Sequence, residues 1–404
     1  MYWEYKAMYF KHYKKPDVAL TKSNYKKALK LLEKNIRYFD VYNKPVLSTG
    51  EGYPGLWAEH NHDFMFYVDY NPEVAKNSHR LFYHIQRHDG LYPASAVHWP
   101  DATARWIYYN SLQIVYPLAA SAYYVAKKTG DEEFLVESYD SWKRYDEWIW
   151  RNRNTRGTGL VEMFCSGDTG HDRSMRVADL PEFCLDGNAA NCPDNPILPI
   201  ISPDLSACIY RGEIALAEMA EDLGMANEAD RWRNSAGEMK ERLMKVCYDA
   251  EDEFFYDVDA TGKFRKFLGE HIFRLFVNGI VEQPVFDKIF NKYIMSDKHF
   301  CPDYPFSSVS VSEPKFDLFD CQNCWNGMSQ THTALETVYW MEQYGKADIH
   351  KEYMEMMVSI FNDSDMKCTQ EINPFTGEFS NTAPNFTTSL IMYTEFVKRL
   401  GIME

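Results

Sequence analysis

Two short segments carry most of the residues whose types suit proton transfer. Residues 159–176, GLVEMFCSGDTGHDRSMR, bring Glu162, Asp168, His171, Asp172, Arg173 and Arg176 into one glycine-rich stretch. Residues 369–380, TQEINPFTGEFS, set Glu371 before an Asn-Pro and a Thr-Gly turn. Taken singly, an Asp beside Gly reads as a surface turn, and Glu371 reads as a solvated loop acid. Taken as a pair, two carboxylates on separate loops are what acid/base glycoside hydrolysis requires. One must keep a proton for the leaving oxygen and the other must be ionised to activate water, so their surroundings must push their pKa values apart.

Other chemistries are less well supplied. His60, His62 and Asp63 lie close together next to Glu59, and Cys321-Gln-Asn-Cys324 is a lone CxxC. A structural zinc site would bring a second pair at matching spacing, and no thioredoxin-like βαβ pattern surrounds the CxxC. No phosphate-binding glycine loop or nucleophile elbow is present. No metal and no cofactor are therefore expected, and the His/Asp group reads as a polar patch. His60, His62, His171 and His332 keep a second chemistry open, that of a sugar epimerase or isomerase with His acid/base groups. A carbohydrate-binding protein without catalysis is a third reading. Trp57, Trp99, Trp106 and Trp325 fall in or beside expected loops, where an indole can stack on a sugar or simply pack. Trp142, Trp148, Trp232 and Trp340 fall inside expected helices and read as packing residues.

These loops need a scaffold, and the apolar spacing predicts helices almost throughout. Residues 24–40 repeat apolar side chains at three-and-four spacing behind Thr21 and Ser23 as caps. Residues 74–88, 109–128, 132–150, 203–223, 226–247, 284–295, 328–344, 347–362 and 384–400 read similarly, with a short helix near 269–279. Gly130 and Gly224 supply stops, and Ser202-Pro203 a capped start. One hairpin is expected at 251–264, with Ala260-Thr261-Gly262 as its turn. Residues 154–203 and 296–326 are long and helix-poor, as functional loops tend to be. No fixed period marks a solenoid, and no Pro/Gly/Ser-rich linker divides the chain. The expectation is one all-α domain over residues 1–404, with paired helices in a closed double ring.

The motifs and their order resemble the (α/α)6 glycoside hydrolases of families 63 and 37, the processing α-glucosidases, mannosylglycerate hydrolases and trehalases. Those enzymes carry a Ser-Gly-x-Asp-x-Ser stretch with the general acid; here residues 166–174 read Ser-Gly-Asp-Thr-Gly-His-Asp-Arg-Ser. They carry Glu-x-x-Asn-Pro-x-Thr-Gly with the general base, which resembles the run from Glu371 to Gly377. They have Asp-Gly-x-x-Pro before a site glutamine, which resembles Asp89 to Pro93 and then Gln113. The resemblance covers about residues 45–400. It implies an (α/α)6 toroid, the six-hairpin barrel, with long loops over one end. It further implies inversion at a small α-linked glucosyl or mannosyl unit, with Asp172 as acid and Glu371 as base. Asp168 competes with Asp172, and the Arg-Ser that follows Asp172 favours the latter. Sugar contacts are implied for Trp57, Glu59, His60, His62, Asp63, Gln113, His171, Arg173, Arg176, Trp325 and Asn326. Two departures point to a substrate unlike those of the named members. Cys324-Trp325-Asn326-Gly327 lacks the family's Arg, and residues 55–63 lack a clean Trp-Asp element.

Composition sets outer bounds. The net charge of −16 argues against nucleic acid or an anionic membrane as partner. No apolar run approaches the roughly 20 residues of a membrane span. The N-terminus lacks a signal-peptide pattern. Nine scattered cysteines fit free thiols in a reducing cytoplasm. The aromatic share of 16% suits both a large core and a sugar site. Oligomeric state cannot be read from the chain.

Overall fold

Helices of three to six turns dominate the computed structural model, which describes residues 8–53, 55–97, 105–318, 323 and 325–403. In chain order they are α1 (Val18–Lys34), α2 (Asn61–Tyr67), α3 (Pro72–His84), α4 (Leu118–Thr129), α5 (Glu132–Asn152) and α6 (Pro203–Asp222). Then follow α7 (Ala226–Cys247), α8 (His271–Val277), α9 (Gln283–Ile289), α10 (Thr331–Gln343), α11 (Ala347–Asp363) and α12 (Thr387–Arg399). The described strands are two or three residues long. No helix among the described residues is long and apolar enough to cross a membrane.

The chain forms two compact units. One is Asn35–Ile289; the other joins the segment ending at Lys34 to that beginning at Phe290. In the first, α2 packs on α3, α4 on α5, and α6 on α7. An aromatic cluster fills its middle, with Tyr92 4.8 Å from Tyr145 and Trp142 4.9 Å from Tyr145, ring to ring. Each such contact adds about 0.5–1.5 kcal/mol beyond area burial. Gly212 on α6 lets the Trp142 indole lie against the helix, since a Cβ there would overlap the ring. Trp142, Trp148 and Trp340 are fully buried and Trp232 nearly so. In the second unit α12 packs against α1, α10 and α11 around Tyr353, Phe361, Tyr393 and Phe396.

Several expected boundaries move. α1 starts at Val18, where the Asp17 carboxylate accepts the Leu20 N–H, so Thr21 lies inside the helix rather than capping it. It stops at Lys34, and Ile36–Tyr38 pairs instead with Pro45–Leu47. The helix expected over 109–128 begins only at Leu118, with Pro117 at the N-cap. The seven-residue α2, with its polar start Asn61-His62-Asp63, was not foreseen. Gly130 ends α4 in a left-handed conformation, φ 64°, as expected. The hairpin forms between Asp257–Val258 and Phe264–Arg265, then continues through Ile200–Ile201 to Glu162–Met163. That four-stranded sheet ties the acid-rich loop to the start of α6.

Candidate active site

In the Asn35–Ile289 unit the site is built from the loop after Glu162–Met163. Glu162 is held on both oxygens by the backbone N–H groups of Thr155 and Arg156, the Thr155 hydroxyl and the Arg156 guanidinium, so it closes a turn. Asp168 is fully buried and faces Arg153 at 2.9 and 3.2 Å. Its oxygens also accept the N–H groups of Leu112, Phe164 and Cys165. A carboxylate so engaged has no oxygen left for a leaving group. Four residues on, past Gly170 at φ 67°, Asp172 is only half-buried.

Several expected partners lie near Gly170 or Asp172. A Cβ on Gly170 would overlap Glu59 Oε2 and approach Gln113, so the acid loop lies directly on both side chains. Gln113 lies on irregular backbone at φ 49° rather than in a helix. The segment carrying it is fixed at Leu112 by Asp168 and at Tyr116 by Asn61, whose amide donates to the Tyr116 carbonyl at 2.6 Å. His60 is 3.2 Å from Glu59 and 3.8 Å from Asp63. Burial works against its charge, but Glu59, Asp63 and Asp172 together hold its pKa above the ordinary imidazole value. His62 is also buried, and burial followed by the charge on His60 pushes its pKa well down. Trp57 is half-buried on the strand Leu56–Trp57, edge-on to Tyr53.

Two expected sugar contacts are buried and bonded to protein groups. Arg176 spends its donors on Asp204, Asp257, Ser202 and His171, and is 3% exposed. His171 meets Glu270 at 2.5 Å through Nε2 and Arg176 at 3.2 Å through Nδ1. Burial, then the charge of Arg274, lowers its pKa to about 4, so the ring is neutral near pH 7. Both residues are thus engaged with buried protein groups. Arg173 is exposed, at φ 57°. Trp106 is 41% exposed on the strand Trp106–Tyr108, and Trp99 lies outside the described residues.

In the second unit the strand Glu371–Ile372 pairs with Ser329–Gln330, which runs directly into α10. Glu371 is 1% exposed, and Gln330 donates to its Oε1 at 3.3 Å. Asn373 organises the turn behind it by accepting the N–H groups of Phe375 and Thr376. Trp325 is buried, edge-on to His332, and Asn326 is buried and accepts the Asp317 N–H through its carbonyl. His332 lies 3.5 Å from Glu336 one turn along α10. Cys321 and Cys324 lie outside the described residues, and the described cysteines form no disulfide.

A family model for the mannosylglycerate hydrolase MGH1-like glycoside hydrolase domain matches residues 53–389. The chain belongs to this MGH1-like glycoside hydrolase family. Among solved structures, a GH63 mannosylglycerate hydrolase from Thermus thermophilus in complex with glucose superposes with TM-score 0.73. It is 17% identical, over 93% of this chain and 99% of that one. The neutral trehalase of Saccharomyces cerevisiae gives TM-score 0.68 at 12% identity, over 93% and 80%. An uncharacterized protein of Borreliella burgdorferi is 22% identical over 253 residues, 60% of this chain but 46% of its own length. The MGH1-like chain thus has the all-α (α/α)6 glycosidase fold expected from its motifs.

Sequence reasoning missed the groups that hold this MGH1-like site. Arg153 ends α5, Glu270 and Arg274 sit at α8, and Gln330 precedes α10. None was singled out as a site residue. Buried charges on otherwise apolar helix faces were the available signal, Arg274 within HIFRLFV being the plainest.

Proposed function

We propose that the protein is an inverting glycoside hydrolase acting on a small α-linked glucosyl or mannosyl glycoside. Asp172 is the general acid and Glu371 the general base. The observation that carries the assignment is the division of labour inside the acid loop. Asp168 is consumed by Arg153 and three backbone N–H groups, whereas Asp172 is a half-buried carboxylate whose charge is felt by the His60 imidazole. Glu371 is buried and kept in place by Gln330 and by the turn that Asn373 organises. Asp172 donates its proton to the glycosidic oxygen as the bond to the anomeric carbon breaks. Glu371 takes a proton from the water that adds to the opposite face, which inverts the configuration. Trp57 offers an apolar ring to the sugar, and Glu59, Asp63 and Gln113 offer hydroxyl partners. Mannosylglycerate and trehalose, the substrates of the enzymes it resembles in fold, head the panel, with other α-glucosides and α-mannosides beside them.

Substituted enzymes assayed on alkyl glycosides and on glycosyl fluorides test the roles. Asp172→Asn and Glu371→Gln each lower kcat on the glycosides by roughly 10³-fold. Fluoride departs without needing a proton, so Asp172→Asn keeps most of its activity on the α-glycosyl fluoride while Glu371→Gln loses it. Full activity of both variants on glycosides overturns the assignment. Conversion of a free monosaccharide alone, lost on substitution of His60, would favour the epimerase chemistry.

A further inference from the structure

We propose that His171 is a positioning residue for the reaction, a neutral hydrogen-bond bridge that fixes the backbone from which Asp172 acts. The inference rests on the assignment of Asp172 as acid. His171 adjoins Asp172 in the chain, between two left-handed residues, Gly170 at φ 67° and Arg173 at φ 57°. A sharp, partly strained turn of this kind persists only where the surroundings over-determine it. The surroundings here are a buried ionic lattice within the Asn35–Ile289 unit. Arg176 binds Asp204 at 2.7 and 2.9 Å and Asp257 at 2.6 and 2.8 Å. Arg274 meets Glu270 at 3.0 Å and Asp204 at 3.6 Å, and donates to the Thr169 carbonyl. Each of these five charged groups is at most 3% exposed.

His171 joins the two arms of this lattice. Arginine has only donors, so the Nδ1 that faces Arg176 must be the acceptor. The proton therefore sits on Nε2 and is donated to Glu270 at 2.5 Å. The tautomer is set by the neighbours, and the ring is neutral while both contacts stand. One face of the acid loop is thus tied at Asp168 to Arg153 and the other at His171 to the Arg176–Glu270 lattice. Asp172 is held two residues beyond Gly170 with little freedom to drift.

A glutamine can imitate both contacts, an amide N–H to Glu270 and an amide oxygen to Arg176. An asparagine carries the same groups on a shorter arm and cannot span them. The test measures kcat and KM for His171→Gln, His171→Asn and His171→Leu on the glycoside panel, with Asp172→Asn and the thermal midpoint recorded in parallel. His171→Leu and His171→Asn should lose about 10²-fold in kcat, the cost of a misplacement of about 1 Å, with KM unchanged. His171→Gln should stay near wild type in both. Should His171→Leu fail to fold, the contrast between the Gln and Asn variants decides. Loss through KM in all three variants would make His171 a substrate contact and overturn the proposal. So would wild-type kcat in the Leu and Asn variants with only the thermal midpoint lowered. Those two results leave the hydrolase assignment standing, whereas retained glycoside activity in Asp172→Asn removes that assignment and this inference with it.

Discussion

Two aspartates four positions apart have opposite fates. Asp168 is drawn into the protein by Arg153, and Asp172 is half-buried. Removing one member of a buried ion pair costs about 3–5 kcal/mol, because the other charge stays buried and unpaired. Asp168→Asn should therefore lower unfolding free energy by that order in denaturant titrations, while Asp172→Asn lowers it by less. Equal stability for both would contradict the division. At Gly170 the backbone is left-handed and a Cβ would overlap Glu59. Gly170→Ala should cut kcat steeply with a smaller loss of stability, since Glu59 and the loop must part. The sequence offered both aspartates and could not choose by chemistry. The deciding partner, Arg153, lies 15 residues upstream at the end of a helix, outside the Ser-Gly acid stretch.

Helices were legible where their periodicity was long. α5, α6, α7 and α11 fall within a residue or two of the expected ranges, because three or more turns of apolar spacing leave no other periodic solution. α2 was hidden by its brevity and polar first turn, and 109–117 misled because its apolar run continues into α4 with only Pro117 to mark the break. A second feature was invisible for a different reason. Asp146 on α5 and Glu213 on α6 are both buried, and each leaves one oxygen without a hydrogen-bond partner. Burial raises Glu213 to about 7, despite the hydroxyl of Ser235 and the indole of Trp150, and burial and Glu213 raise Asp146. In the unfolded chain Glu213 titrates near 4.5, so the folded state holds protons more tightly between those values. The associated stability is present in full below about pH 4.5 and is lost as pH rises through about 7. Thermal midpoints measured across this range should fall with pH in the wild type, and Glu213→Gln should flatten the slope. A slope unchanged by that substitution would mean the pair does not titrate there.

At the scale of the whole chain, the helical pattern and the order of loop motifs carried the fold. A TM-score of 0.73 at 17% identity shows how little else needs to be kept. The acidic surplus settles mostly on exposed side chains, while the acids assigned to chemistry lie in half-buried or buried loops. What the sequence withheld is the ionic lattice that holds the acid loop, because charge pairs distant in the chain leave no local pattern. A single displacement with inversion is the chemistry on which both carboxylate roles depend, and stereochemistry tests it most directly. Proton NMR should follow the first minutes of hydrolysis of an α-glycoside by the wild-type protein, before mutarotation mixes the anomers. The β-anomer of the released sugar is the expected first product. The α-anomer appearing first would mean retention, and would contradict the roles given to Asp172 and Glu371.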